Sequence, residues 1–195
     1  MNARVDFSNV VMQRYRITVG DFYRMASAGV FDGKARVELI EGEIVTLAPI
    51  GTMHATLTQA IAYYFHDRCG KGVTARMQLP LHLSDGSEPE PDIAVVRGHN
   101  RDYIDRHPSA ADCLLVIEVA HTSQDYDLQV KVPLYAAYGV VEYWLVDTVA
   151  STVTVFRDPV DGRYRYSVEH PSSMTITPLD CTLPAINVVG CIDAG

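Results

Sequence analysis

Residues 91–96, PDIAVV, and residues 114–119, LLVIEV, are two apolar runs that each carry an acidic residue near one border. Asp92 opens the first run, and Glu118 comes near the end of the second. Short apolar runs of this composition are typical of buried strands. A carboxylate there is costly to desolvate unless it has a partner, water or a metal ion. The two runs therefore predict neighbouring strands with Asp92 and Glu118 as candidate ligands of a divalent metal ion. The alternative for each acid alone is that Asp92 is a turn or strand-start residue and Glu118 a solvated residue at a strand end.

A lysine follows the second acid on the next predicted helix. Lys131 stands four residues after Asp127, which is a spacing that brings two side chains to one helix face. One interpretation is a surface ion pair that contributes a few tenths of a kcal/mol. The other is that the Lys131 ammonium lies beside the metal ion and stabilises charge that grows on a phosphate.

Three further residues are candidates for the same neighbourhood. Glu38 interrupts the apolar run at residues 37–40, so it faces either a polar site or the solvent at an edge strand. His54 follows the segment PIG at residues 49–51 and opens a predicted helix, where it either contacts a phosphate or is simply part-exposed. The same two interpretations apply to His121.

The rest of the chain alternates between helical and strand patterns. Helices are predicted at residues 18–29, 53–69 and 125–138. Strands are predicted at residues 36–40, 43–47, 73–84, 93–96, 114–119, 142–147, 151–157 and 163–168. Pro80 predicts a bend or an edge position for the third strand, and Pro133 predicts a kink or a late start for the third helix. The order predicts an α/β fold, with one mixed β-sheet flanked by helices.

The chain length and composition favour a single globular domain over residues 1–195. Within it we expect a helical amino-terminal segment at about residues 1–35 and a core at about 36–170, followed by a loop-rich tail with a short closing element near 185–192. The first six residues lack the apolar core of a signal peptide, and no apolar run reaches the ~20 residues of a membrane helix. We therefore expect a cytoplasmic protein with no membrane partner.

The formal net charge of -8 argues against a broad nucleic-acid-binding surface, since such surfaces are usually basic. Any basic footprint has to be local. Four arginines form either a modest basic rim around the site or a scatter of solvated side chains: Arg76, Arg97, Arg101 and Arg106. The four cysteines show no CxxC pair, so the sequence does not predict structural zinc.

Several segments together resemble the Uma family, whose members are mostly bacterial proteins described as restriction endonucleases. The matching features are VELIEGE at 37–43, His54 four residues after Ile50, PDI at 91–93, VIEV at 116–119, Asp127 with Lys131, and YAAYGVVEYWLVD at 135–147. The resemblance runs over about residues 37–157, and its last block is the most specific.

The Uma family is similar to the PD-(D/E)xK nuclease superfamily, and this implies a restriction-endonuclease-like fold. By the resemblance, Asp92 is the Asp of the motif and Glu118 its second acid. Ala120 stands where the motif usually has its lysine, and the resemblance implies that Lys131 supplies the cation instead. Glu38 would then bind the metal through water or orient the lysine. The implied cofactor is Mg²⁺ or Mn²⁺, with a backbone carbonyl near Val119 as a further ligand, and the implied substrate is DNA, cut by a homodimer.

Three functions stay open on the sequence. The first is a metal-dependent endonuclease acting on DNA. The second is a catalytically inactive nuclease-fold module for binding or assembly, which the acidic charge and Ala120 favour. The third is a phosphodiesterase acting on a small phosphorylated substrate. Convergence of Asp92, Glu118 and Lys131 would favour an enzyme, and separated side chains would favour the module.

Overall fold

The structure is a computed structural model that describes residues 14–33 and 36–192. The helices are α1 (Val19–Ser27), α2 (Thr52–Arg68), α3 (Gln124–Tyr126) and α4 (Val132–Ala137), with a π-helical turn at Asp127–Lys131 between the last two. The strands are β1 (Val37–Ile40), β2 (Glu43–Thr46), β3 (Val73–Met77), β4 (Ile93–Arg97), β5 (Cys113–Ala120), β6 (Glu142–Asp147), β7 (Thr152–Val160), β8 (Arg163–Pro171), β9 (Thr175–Ile176) and β10 (Ile186–Asn187). No helix of the described residues is long and apolar enough to cross a membrane.

Strands β3 to β8 form one six-stranded sheet in chain order. The pair β5 and β6 is parallel and the other neighbours are antiparallel. A parallel pair needs a crossover connection, and the helical segment 124–137 provides it. The predicted α/β class with a mixed sheet flanked by helices is confirmed.

The central strands are buried on both faces, which explains why they read as continuous apolar runs. Alternate residues of β4 and β5 pack against α2 on one face, together with the side chain of Trp144 from β6. The intervening residues pack against Tyr135 of α4 on the other face. Ala120 belongs to this second face and is fully buried. The two-residue period of a strand places Asp92 and Glu118 on this α4 face as well.

The two irregularities that proline predicts both appear. Strand β3 lies at the sheet edge and ends at Met77, so the predicted strand 73–84 is too long. Gln78 follows it with a left-handed φ of 51°, and Pro80 comes two residues later. In the third helix, the π-helical turn at Asp127–Lys131 directly precedes α4, in which Pro133 stands in the first turn.

The smaller elements lie around the central sheet. Helix α1 begins after Thr18, whose hydroxyl accepts from the Asp21 N–H in a reciprocal capping box. Strands β1 and β2 form a separate two-stranded hairpin. Strands β9 and β10 pair in the tail, which also packs onto the α2 side of the core.

Part of the predicted organisation cannot be compared with these elements. Residues 1–13 and 34–35 of the expected amino-terminal helical segment lie outside the described residues. Residues 1–6, which were found to lack the apolar core of a signal peptide, are among them. The assignment of residues 1–195 to a single domain stays a prediction.

Candidate active site

The two acids predicted as metal ligands lie side by side across strands β4 and β5. The backbone N–H of Asp92 donates to Glu118 Oε2 at 2.9 Å, and the N–H of Val119 donates to Asp92 Oδ2 at 2.9 Å. Asp92 directly precedes β4, as expected, whereas Glu118 lies within β5 and not at its end. Antiparallel pairing of Ile93 with Ile117 brings the two acids together.

Lys131 is buried and lies between two carboxylates. Its Nζ atom is 2.7 Å from Glu38 Oε2 and 3.5 Å from Glu118 Oε1. The surface ion pair with Asp127 is therefore wrong: both side chains are buried, and Asp127 accepts a hydrogen bond from the Ser123 hydroxyl at 2.7 Å. Lys131 thus brings its positive charge to Glu118 from the helix.

Glu38 is the buried partner of this lysine. Its carboxylate also accepts from the Tyr126 hydroxyl at 3.0 Å and from the Glu90 N–H at 3.0 Å. The solvated edge position considered for Glu38 is wrong, because only 1% of the residue is exposed. Glu38 does not line the cavity described below, and this position favours orientation of Lys131 over binding of the metal through water.

His54 contacts the first of the two acids. Its Nε2 atom is 2.8 Å from Asp92 Oδ2, while its Nδ1 atom is buried and has no hydrogen-bond partner among the described residues. His121 is exposed and lies farther along the cavity wall, where Nδ1 is 2.9 Å from the Thr148 hydroxyl. The sequence singled out both histidines, and the structure places only His54 against a candidate ligand.

The sequence did not predict two residues whose side chains contact the candidate metal ligands. The Tyr135 hydroxyl donates to Glu118 Oε1 at 3.0 Å, and the Gln78 amide donates to Asp92 Oδ1 at 3.3 Å. Tyr135 comes four residues after Lys131, and this spacing was the signal that it shares the helix face of the lysine. Gln78 alternates with apolar residues in the predicted ribbon and carries no comparable signal.

Burial and the concentration of acids shift the pKa values of the site. Burial raises the pKa of Glu118 well above its ordinary value, and Asp92 and Asp127 raise it further, while Lys131 opposes the shift. Burial also raises the pKa of Asp127 to about 6. Burial alone would lower the pKa of Lys131, but Glu118 and Glu38 outweigh it and raise that pKa. The hydrogen bond with Asp92 raises the pKa of His54.

The site opens into a cavity of about 670 Å³. Residues 45–53 form one part of its wall. The charged side chains in the wall are Glu90, Asp92, Glu118, Asp127, Arg36 and Lys131. Arg36 Nη2 lies 2.6 Å from Glu90, so this arginine is already paired. The basic rim considered from the sequence is wrong, because none of its four arginines lines the cavity. Arg97 and Arg106 instead form salt bridges with Asp180 and Asp112.

The donor set suits a hard divalent cation. No three His, Cys, Asp or Glu side chains of the described residues converge closely enough to hold a metal by themselves. Asp92 and Glu118 nevertheless offer adjacent carboxylate oxygens, the ligand type that Mg²⁺ and Mn²⁺ prefer. Burial raises the pKa of Glu118, Asp92 and Asp127 raise it further, and a bound cation would favour the charged form of this carboxylate. These residues fit Mg²⁺ or Mn²⁺, provided that other oxygen donors complete the coordination.

Comparison with known proteins identifies the family of this chain and a structure with a similar fold. Residues 19–186 match the model of the Uma2 family, which is described as "Putative restriction endonuclease". The chain is also similar to the crystal structure of "a putative nuclease belonging to DUF820" from Anabaena variabilis, with a TM-score of 0.70 and 17% identity over 91% of this chain and 98% of that chain. At that identity the likeness shows the fold alone. A search of curated proteins finds no match. The chain belongs to the Uma2 family of restriction-endonuclease-like proteins and has a nuclease-like α/β fold.

Proposed function

We propose that this protein is a metal-dependent endonuclease that hydrolyses DNA phosphodiester bonds. The observation that carries the proposal is the convergence of Asp92, Glu118 and Lys131 at one cavity, with Lys131 Nζ 3.5 Å from Glu118 Oε1. Two adjacent acids can bind a divalent cation and one ammonium can offset phosphate charge, and both effects support hydrolysis of a phosphodiester. Membership of the Uma2 family supports the same reaction class.

Each side chain has a role in this proposal. Asp92 and Glu118 hold Mg²⁺ or Mn²⁺, which when bound polarises the phosphate and lowers the pKa of a water molecule. Lys131 offsets negative charge on the phosphoryl oxygens. Glu38 fixes the direction of the lysine through its 2.7 Å contact, and Tyr135 and His54 hold the two acids in place.

Ala120 does not argue against catalysis. Its side chain is fully buried on the face that also carries Glu118. Lys131 reaches the same carboxylate from the helical segment, so the positive charge that the usual motif places two residues after the acid has another source. The convergence disfavours the inactive module, for which separated side chains were expected.

A small phosphorylated substrate is the second candidate. The four arginines considered for a basic rim lie away from the cavity, and Arg36 in its wall is paired with Glu90. Binding of a long phosphate backbone usually relies on several unpaired Lys and Arg side chains. A substrate that presents one phosphodiester needs fewer such contacts. Family membership favours DNA, and a homodimer in the bacterial cytoplasm belongs to the same proposal.

The proposal is tested by calorimetric titration of Mn²⁺ and Mg²⁺, with cleavage of a supercoiled plasmid followed in parallel. The variants are Asp92→Asn and Glu118→Gln, and the matched control is Asp105→Asn, which removes one exposed acid elsewhere. We expect both site variants to lose metal binding and cleavage together, while the control keeps both. Metal binding without cleavage of any DNA would favour the small substrate. A wild-type protein that binds no metal at millimolar concentration would sink the proposal.

A further inference from the structure

Gln78 lies directly opposite Asp92 at the edge of the central sheet. It is one position beyond the last antiparallel pair, Met77 with Ile93, and its N–H donates to the carbonyl oxygen of Asp92 at 3.0 Å. Its side chain lines the cavity and donates to Asp92 Oδ1 at 3.3 Å. Gln78 is therefore hydrogen-bonded to Asp92, the predicted metal ligand, through both its backbone and its side-chain amide.

The backbone conformation of Gln78 is unusual for its residue type. Its φ of 51° lies in the left-handed region, which glycine and asparagine adopt more readily than glutamine. Strained residues of this kind cluster at functional sites, where the surrounding structure holds them in place. Here the left-handed turn ends β3 and leaves the side chain at the cavity beside Asp92.

The two oxygens of Asp92 have different surroundings. Oδ2 accepts from the Val119 N–H at 2.9 Å and contacts His54 Nε2 at 2.8 Å. At Oδ1 the hydrogen bond of the described residues is the longer one from Gln78. Oδ1 is thus the oxygen with capacity left for a metal ion, and the Gln78 amide group stands beside it.

We propose that Gln78 is a third ligand residue of the metal site, acting through its amide oxygen; this rests on the metal-dependent function proposed above. Rotation of the terminal amide by 180° exchanges its N–H₂ donor for a carbonyl oxygen. That oxygen is a ligand type that hard divalent cations accept. The amide therefore donates a hydrogen bond to Asp92 when no metal is bound and turns its oxygen to the ion when one is. It supplies the third side chain that the acids and histidines of the described residues do not provide.

Two substitutions separate a ligand from a structural residue. Gln78→Asn keeps an amide and tolerates the left-handed backbone, but it is one carbon too short to reach the position of the present amide. Gln78→Glu keeps the length and replaces the neutral oxygen donor by a charged one. The readout is the Mn²⁺ dissociation constant by calorimetry, with the urea midpoint of each metal-free variant as the check on folding.

We expect Gln78→Asn to weaken Mn²⁺ binding by about tenfold, as loss of a metal-site contact usually does, while its urea midpoint is unchanged or higher. Gln78→Glu should bind Mn²⁺ more tightly than the wild type and have a lower urea midpoint without metal, since two carboxylates then repel each other. If Mn²⁺ binding requires Asp92 but the dissociation constants of both Gln78 variants equal that of the wild type, the ligand role of Gln78 is wrong and the proposed function stands. If the wild type binds no Mn²⁺, both fail.

Discussion

The ammonium of Lys131 illustrates how this site depends on single residues. It is buried with Glu38 and Glu118, and its closest contact is Nζ to Glu38 Oε2 at 2.7 Å. A buried ion pair adds little net stability, but removal of one partner leaves the other charge uncompensated. The pair is therefore a sensitive point of the fold as well as a part of the site.

Replacement of Lys131 by methionine should lower the free energy of unfolding by about 3–5 kcal/mol, because Glu38 is then buried without its cation. Urea denaturation measures the loss. The double variant Lys131→Met with Glu38→Gln removes both charges of this pair and should recover part of the loss, since Glu118 is still left without the lysine. If the double variant is less stable than the single one by the full cost of Glu38→Gln alone, the two residues are not coupled in the way described.

At this scale the sequence predicted Asp92, Glu118, Glu38, Lys131 and His54, but it did not predict Tyr135 and Gln78. Asp92, Glu118 and Glu38 stand out because a carboxylate beside apolar residues demands a partner. Tyr135 and Gln78 do not stand out, since a tyrosine in an apolar helix resembles core and a glutamine in an alternating strand resembles surface. Their hydrogen bonds to the two acids become visible only when strand register and helix position are known.

Among the elements, the helical segment 124–137 shows how much a proline in the sequence predicts about the shape of a helix. Pro133 lacks a backbone N–H, and from this the sequence predicted a kink or a late start. In the structure α4 begins only at Val132, after a π-helical turn at Asp127–Lys131, and this turn contains Lys131, which contacts Glu118. The position of the irregularity was predictable, whereas its form depends on the packing of the segment against the sheet.

The short 3₁₀ turn at Ala110–Asp112, which directly precedes β5, gives a prediction about pH. Asp112 accepts from the Ser109 N–H at 2.8 Å and forms a salt bridge with Arg106 at 2.6 Å. The hydrogen bond from Arg106 lowers the pKa of Asp112, although burial opposes this shift. Because the folded pKa lies below the unfolded one, the stabilisation is complete above the ordinary value of 3.8 and is lost as the pH falls further.

The measurement is urea unfolding of the wild type and Asp112→Asn between pH 7 and pH 2. The wild type should be the more stable at pH 7, and the difference should shrink below about pH 4 as Asp112 takes up a proton. Glu169→Gln, which changes an acid of β8, is the control and should follow the wild type. A difference that stays constant over the whole range would contradict the assignment to Asp112.

On the scale of the whole molecule, the net charge of -8 makes bound cations stabilising. A ligand that binds only the folded protein, present at ten times its dissociation constant, adds about 1.4 kcal/mol to the free energy of unfolding. For a chain of this length that is a rise of about 3–6 °C in Tm. Differential scanning calorimetry with Mn²⁺ should show this rise in the wild type. Asp92→Asn should show no such rise, and an equal rise in both proteins would indicate binding elsewhere.

The prediction of one domain also belongs to this scale. The single tryptophan, Trp144, is fully buried in β6, so its fluorescence reports on the central sheet. Far-ultraviolet circular dichroism reports on all helices and strands together. If residues 1–195 form one cooperative unit, the two signals should give the same urea midpoint. Two separate midpoints would show that a part of the chain unfolds independently of the sheet.

The hairpin of β1 and β2 has a consequence for anyone who shortens this protein. A fragment that starts at α2 would retain all six strands of the central sheet, and a topology diagram would suggest that it is complete. It would lack Glu38, the closest counter-charge of Lys131. Minimal versions, circular permutants and split reporters of this fold should therefore keep the hairpin on the same piece as residues 124–137, because Glu38 of the hairpin contacts both Lys131 and Tyr126 of that segment and no linker can replace these contacts.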